Sequence, residues 1–208
     1  MTALTDRDLA VVDQAASILL HYPAGDQAAR RRIQLVREAV AALPACAARQ
    51  HLQGFLRHLD GHGGTELAQQ YVEAFDFRRR TCLYLTYYTD GDTRRRGVAL
   101  GRLKQRYRSA GLELADGELP DFLPALLEFT AATRRRDLLE EHRPALELLR
   151  LGLQDAGSPY ARVVEAVCAT LPGPSPRDRE AILALAASGP PREQVGLDPY
   201  PTTGRSRP

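Results

Sequence analysis

Few residues in this 208-residue sequence sit at the spacings that catalysis demands. Nucleophilic chemistry needs a nucleophile and a base brought together in a strained turn or pocket. There is no Gly-x-Ser-x-Gly, no marked Cys–His pair, no phosphate-binding Walker loop and no Gly-x-Gly-x-x-Gly. The stretch "GDTRRRG" (91–97) has two glycines but lacks the Lys-Ser/Thr that grips phosphate, so it reads as a capped helix start. His58 and His62 are four apart and would share a helix face, but Gly61 and Gly63 should end the helix there, leaving a solvated end rather than a metal site. Cys46, Cys82 and Cys168 have no zinc or Cys-x-x-Cys spacing and read as small buried apolar residues of a reducing compartment. No catalytic residue, metal site or cofactor is expected.

Carboxylates, arginines and tyrosines remain. Asp121 and Glu128 are seven apart, so on a helix they share one face with a rise of about 10.5 Å, too far for a paired general acid and base. They read either as a solvated stripe or as an acidic rim beside the apolar run Phe122–Leu127, suited to a basic amphipathic helix. Arginine triplets occur at 30–32, 78–80, 94–96 and 134–136, interleaved with acids. Arg94 and Arg96 stand at a helix start, where cations are unfavourable, so a carboxylate (Asp76, Asp92 or Asp121) should bind at least one. Tyr84, Tyr87 and Tyr88 have i, i+3, i+4 spacing, and Tyr71 and Phe75 form a second such pair. Such aromatics either fill a core or hold a peptide, where the ring packs and the hydroxyl stays wet.

The elements that must position these residues are helices. Thr5 and Asp26 can cap the first two, with Pro23 between them; a third starts near Pro44; Thr65 opens a fourth. "CLYLTYY" has strand composition, but no partner strand is evident, so it reads as a short helix. Asp92 or Thr93 caps a long helix ending at Gly111. Pro120 fits the first turn of the next, and further helices follow, with a break at Pro144 and starts at Pro159 and Pro176. The fold class is all-α, a single multi-helix domain over 1–188 with a mobile Pro-rich tail over 189–208. Formal net charge is only +2 and Lys104 is the only lysine, which argues against nucleic acid or an anionic membrane as partner. No secretory signal or roughly 20-residue apolar span appears, so the expected location is cytoplasmic.

Four segments, "YVEAFDFRRR", "LYLTYYTDGDTRRRG", "ELPDFLPALLEF" and "SPYARVVEAVCATLP", resemble the respiratory nitrate reductase delta subunit. This is the NarJ-type molybdenum cofactor assembly chaperone family, related to the TorD/DmsD redox-enzyme maturation chaperones. The resemblance is densest from Leu67 to Phe129 and weak over the first 60 residues. It implies an all-helical, non-catalytic chaperone of nitrate reductase assembly and nitrate assimilation. Its partner would be the N-terminal segment of the apo nitrate reductase alpha subunit, held until molybdenum cofactor is inserted and the complex reaches the membrane; cofactor-delivery proteins would be further partners. Motif positions matched here include Tyr71, Phe75, Asp76, Phe77, Gly91, Asp92, Thr93, Arg94, Arg96, Gly97, Glu118, Leu119, Pro120, Asp121, Leu123, Pro124, Glu128 and Phe129.

Together these readings predict a peptide groove. Tyr71, Phe75, Tyr84, Tyr87 and Tyr88 would line it with Phe122, Leu123, Leu126 and Leu127, while Asp121 and Glu128 fringe it. Asp76, Gly91, Asp92, Thr93, Arg94, Arg96, Gly97 and Pro120 would brace it. The alternative is a helical nucleic-acid-binding regulator using the arginine clusters.

Overall fold

Thr5 caps the first helix as its sequence requires. Its hydroxyl accepts from the Asp8 backbone N–H, and the Asp8 carboxylate accepts from the Thr5 N–H at 2.9 Å. This reciprocal box satisfies two donors that a helix start leaves orphaned. The computed structural model describes residues 4–77, 79–115 and 117–188; the predicted tail at 189–208 lies outside them. Helix α1 spans Asp6–Leu19, and α2 (Gln27–Ala42) is capped by the Asp26 carboxylate. Then come α3 (Ala47–Asp60), α4 (Gly64–Phe75), a 3₁₀ turn (Arg79–Thr81), α5 (Leu85–Asp90) and α6 (Arg94–Ser109). The chain continues with α7 (Leu123–Thr133), α8 (Asp137–Glu141), α9 (Arg143–Asp155), α10 (Ala161–Cys168) and α11 (Arg179–Ser188). Among the described residues the only strand-like pairing is a single antiparallel bridge, Tyr84 with Phe122.

The all-α expectation holds; several boundaries differ. Gly63, not Thr65, precedes α4, and α3 starts at Ala47 behind Cys46. Pro120 lies outside a helix: α7 begins at Leu123, and Pro124 takes the first-turn place where its missing N–H costs nothing. Pro144 likewise opens α9. Of the cysteines only Cys168 is fully buried; Cys46 and Cys82 are half-buried.

Helix α7 is apolar on nearly every side, the mark of a central helix. Leu123, Leu126, Leu127 and Phe129 are all within the core, against α1. Helix α10 packs on α3 and α9 through Val163, Val164 and Val167. Gly152 lets α9 approach the 3₁₀ turn: a Cβ there would stand 2.8 Å from the Arg80 carbonyl oxygen.

One buried carboxylate ties the layers. Asp13 of α1 accepts from Thr130 Oγ1 (3.0 Å) and from Arg136 Nη2 (3.1 Å), and Arg136 also donates to Thr170 Oγ1. Burial outweighs these partners and raises the Asp13 pKa to about 6. The folded state therefore binds this proton more tightly than the unfolded chain, so the Asp13 contribution to stability grows as pH falls from about 6 to 4. Buried His142 works the other way, because burial lowers its pKa and folding resists its protonation. Asp13→Asn isolates the first effect. The stability of wild type relative to D13N should rise by up to about 3 kcal/mol between pH 7.5 and 4, measured by urea unfolding. A pH-independent difference would contradict the assignment.

Candidate functional site

Asp121 holds the middle of the chain together from inside. It is fully buried and precedes α7, so it does not share a helix face with exposed Glu128. Its Oδ2 accepts from Thr86 Oγ1 (2.5 Å), from the Thr86 N–H (3.3 Å) and from Arg96 Nη2 (3.5 Å). Backbone bonds Leu85 N to Asp121 O (3.0 Å) and Leu123 N to Leu83 O (2.8 Å) stitch the same two segments. Of the three acids weighed as partners for the arginines, Asp121 is the one that binds, and it binds Arg96. Thr93 caps α6, its hydroxyl accepting from the Arg95 N–H. Gly91 ends α5 with φ of 59°, a left-handed value that favours glycine.

The predicted groove lining divides accordingly. Leu123, Leu126, Leu127 and Asp121 are wholly interior and Tyr71 and Phe75 are only 8% exposed, so these six do not form an open groove lining, a correction to the expectation. Tyr71 and Phe75 meet edge-on at 4.9 Å and both pack on Tyr160. The Tyr71 hydroxyl donates to the Leu20 carbonyl at 3.2 Å, and burial pushes its pKa up to about 12. Nor do the three tyrosines form one helical cluster. Tyr84 is an extended N-cap residue turned onto Phe122 (5.5 Å), with the Arg96 guanidinium 5.8 Å from its ring. Tyr87 and Tyr88 contact each other edge-on at 6.4 Å. The Tyr88 hydroxyl lies 3.1 and 3.0 Å from the Arg80 and Cys82 carbonyls, fixing α5 against the turn before it.

An open cleft lies beside these core residues, at the corner between α1 and α2. Its volume is about 650 Å³. Ile18 and the corner residues Tyr22, Pro23 and Gly25 form one wall; Ala29 and Ile33 of α2 form another. Phe55 and Leu59 of α3 and Leu67 of α4 complete the apolar surface, and Glu128 reaches it from α7. Tyr22 is 55% exposed while its ring packs edge-on against Tyr71 at 5.4 Å. His21 meets Phe122 at 6.0 Å, so an aromatic path runs from the cleft through Phe122 to half-exposed Tyr84. The acidic fringe shrinks to Glu128; the α2 side carries Arg30, Arg32 and Arg37, the last paired with Asp60 at 2.6 Å. Sequence reasoning missed this wall. The signal available was Tyr22, a large ring at the corner beside Pro23, and Ile33, the first and only partly buried member of the stripe Ile33, Val36 and Val40.

The lining of this cleft is mostly apolar. Among the described residues no three His, Cys, Asp or Glu gather as a metal site. His58 and His62 instead stack at 3.9 Å and bond to Gln70 and to the His58 carbonyl. Also among these residues, no helix is long and apolar enough to cross a membrane.

Comparison with known proteins agrees with this architecture. The family model described as nitrate reductase delta subunit matches residues 41–165. NarX of Mycobacterium tuberculosis, a nitrate reductase-like protein, is 39% identical over 171 residues, covering 77% of this chain. The chain spans only 24% of NarX. NarJ of Escherichia coli K12, a nitrate reductase molybdenum cofactor assembly chaperone, is 39% identical over 152 residues, 70% of this chain and 63% of NarJ. A crystal structure from Archaeoglobus fulgidus, described as a redox enzyme maturation protein, superimposes with a TM-score of 0.58. It shares 17% identity and covers 81% of this chain and 94% of its own; at that identity the likeness is one of fold.

Proposed function

Because the chain belongs to the nitrate reductase delta subunit family, we propose that it is a non-catalytic chaperone that receives the N-terminal segment of the apo nitrate reductase alpha subunit in the cleft between α1, α2 and α4. There it keeps the subunit competent for molybdenum cofactor insertion, in the cytoplasm, before membrane attachment. The observation that carries this reading is the cleft itself, apolar, open and large enough for a few side chains of a helix. Ile33 and Leu67 would receive apolar anchors, and Glu128 would meet a client cation. Arg30 and Arg32 on the opposite side favour a client that also bears a carboxylate, so the match is one of mixed charge rather than an acidic rim for a basic helix. Burying two or three anchors gives about 1.5–3 kcal/mol each before ordering costs, enough to hold a client and still release it.

Co-purification tests the proposal. The chain should retain an alpha subunit made without cofactor, and deleting the first stretch of that subunit should abolish retention. Equal retention of the truncated subunit would refute client capture through that segment.

A further inference from the structure

Helix α6 stands apart in charge. Arg94, Arg95, Arg96, Arg102, Lys104, Arg106 and Arg108 lie within it and no acidic residue does, in a protein whose formal net charge is +2. Only Leu103 and Tyr107 of α6 are buried. Two of its cations are neutralised from within the fold: Arg96 by Asp121, and Arg106 by Asp137 (2.6 Å) and Glu141 (3.5 Å). Arg95 and Arg102 have no carboxylate within 4.0 Å among the described residues. Seven residues apart, they lie on one helix face with a rise of about 10.5 Å between them, a spacing that two carboxylates seven apart on a facing helix would match.

That face borders a second cleft of about 830 Å³, separate from the first. Val98, 58% exposed, and Ala99 lie between the two arginines along its edge. Leu138 and His142 form the opposite wall, and His142 Nε2 has no hydrogen-bond partner among the described residues. Asp90 and Glu141 also line the cleft, Glu141 paired with Arg106, so the cation surplus lies on the α6 edge, at Arg95 and Arg102. No Phe, Tyr or Trp lines the cleft, so nucleic-acid bases would find no stacking platform. The pattern is instead charge, apolar, apolar, charge at i, i+3, i+4, i+7, which is the complement of another helix.

We propose that the face of α6 bearing Arg95, Val98, Ala99 and Arg102 docks an acidic amphipathic helix of a partner protein, with carboxylates seven residues apart meeting the two arginines and small apolar side chains between them. This surface works independently of the client cleft.

The test uses the full chain and a fluorescein-labelled designed helical peptide with Glu at i and i+7 and Leu and Ala between. Anisotropy should show saturable binding. Affinity should fall about tenfold or more for Arg95→Glu/Arg102→Glu, for a peptide with Lys in place of Glu, and on raising salt from 50 to 500 mM. Should the double variant melt early, Arg102→Gln should still weaken binding measurably. Unlabelled alpha-subunit N-terminal segment should not displace the peptide. Equal affinity for the Glu and Lys peptides, or for wild type and folded variants, would overturn the proposal. So would displacement by that segment, or tighter binding of a 20-nucleotide single strand or of phosphatidylglycerol vesicles.

Discussion

Asp121→Ala is expected to destabilise the fold by about 3–5 kcal/mol, the usual cost of removing one partner from a buried charged network. The carboxylate accepts from Thr86 twice and from Arg96, and all three donors would lose it at once. The loss would spread along the chain, because the same residue sits where the loop before α5 pairs with the entry to α7. Asp121→Asn keeps an acceptor for Thr86 and gives up the ionic contact, so it should fall between wild type and the alanine variant. Urea unfolding at pH 7 checks the order. If D121A unfolded at the wild-type midpoint while client affinity dropped, Asp121 would be a surface contact after all.

The complementary expectation concerns Ile33→Glu combined with Leu67→Glu. Both side chains are half-buried at the cleft; Ile33 packs on the edge of the core and Leu67 lies outside it. Placing two carboxylates there should weaken binding of the alpha-subunit segment about 100-fold, roughly 2.7 kcal/mol, while leaving the melting transition close to wild type. Leu126→Ala should behave inversely. Its side chain is wholly interior, so truncation should cost about 2–5 kcal/mol of stability and reduce binding only in proportion to unfolded protein. Calorimetry with melting curves on both variants separates the two roles. Wild-type affinity in the folded double variant would remove the cleft from the account.

Why the sequence located the fold better than the site follows from these same residues. Helix starts are local events: Thr5 with Asp8, Asp26 and Thr93 each cap by contacts within three residues, and such signals are legible in a string. The bond between Arg96 and a carboxylate was legible too, because cations at a helix start need compensation. Which apolar residues stay accessible is not local. In "LPALLEF" (123–129) every side but that of Glu128 is apolar, so periodicity cannot distinguish a helix lining a groove from one submerged under α1. Tertiary packing decided for the core, and Asp121 went inside with it. The cleft arises from the packing of five helices whose meeting no spacing rule encodes, and its α1–α2 wall lies outside residues 41–165, where the family match runs.

The most direct test of client capture is photo-crosslinking. An alpha-subunit N-terminal peptide carrying benzoylphenylalanine at an apolar position is irradiated with the full chain, and the adducts are mapped by mass spectrometry. The structure predicts adducts at Tyr22–Ile33 and at Leu67, lost in I33E/L67E. Adducts confined to Tyr84–Tyr88 or to α6, or none from a peptide that binds, would contradict it.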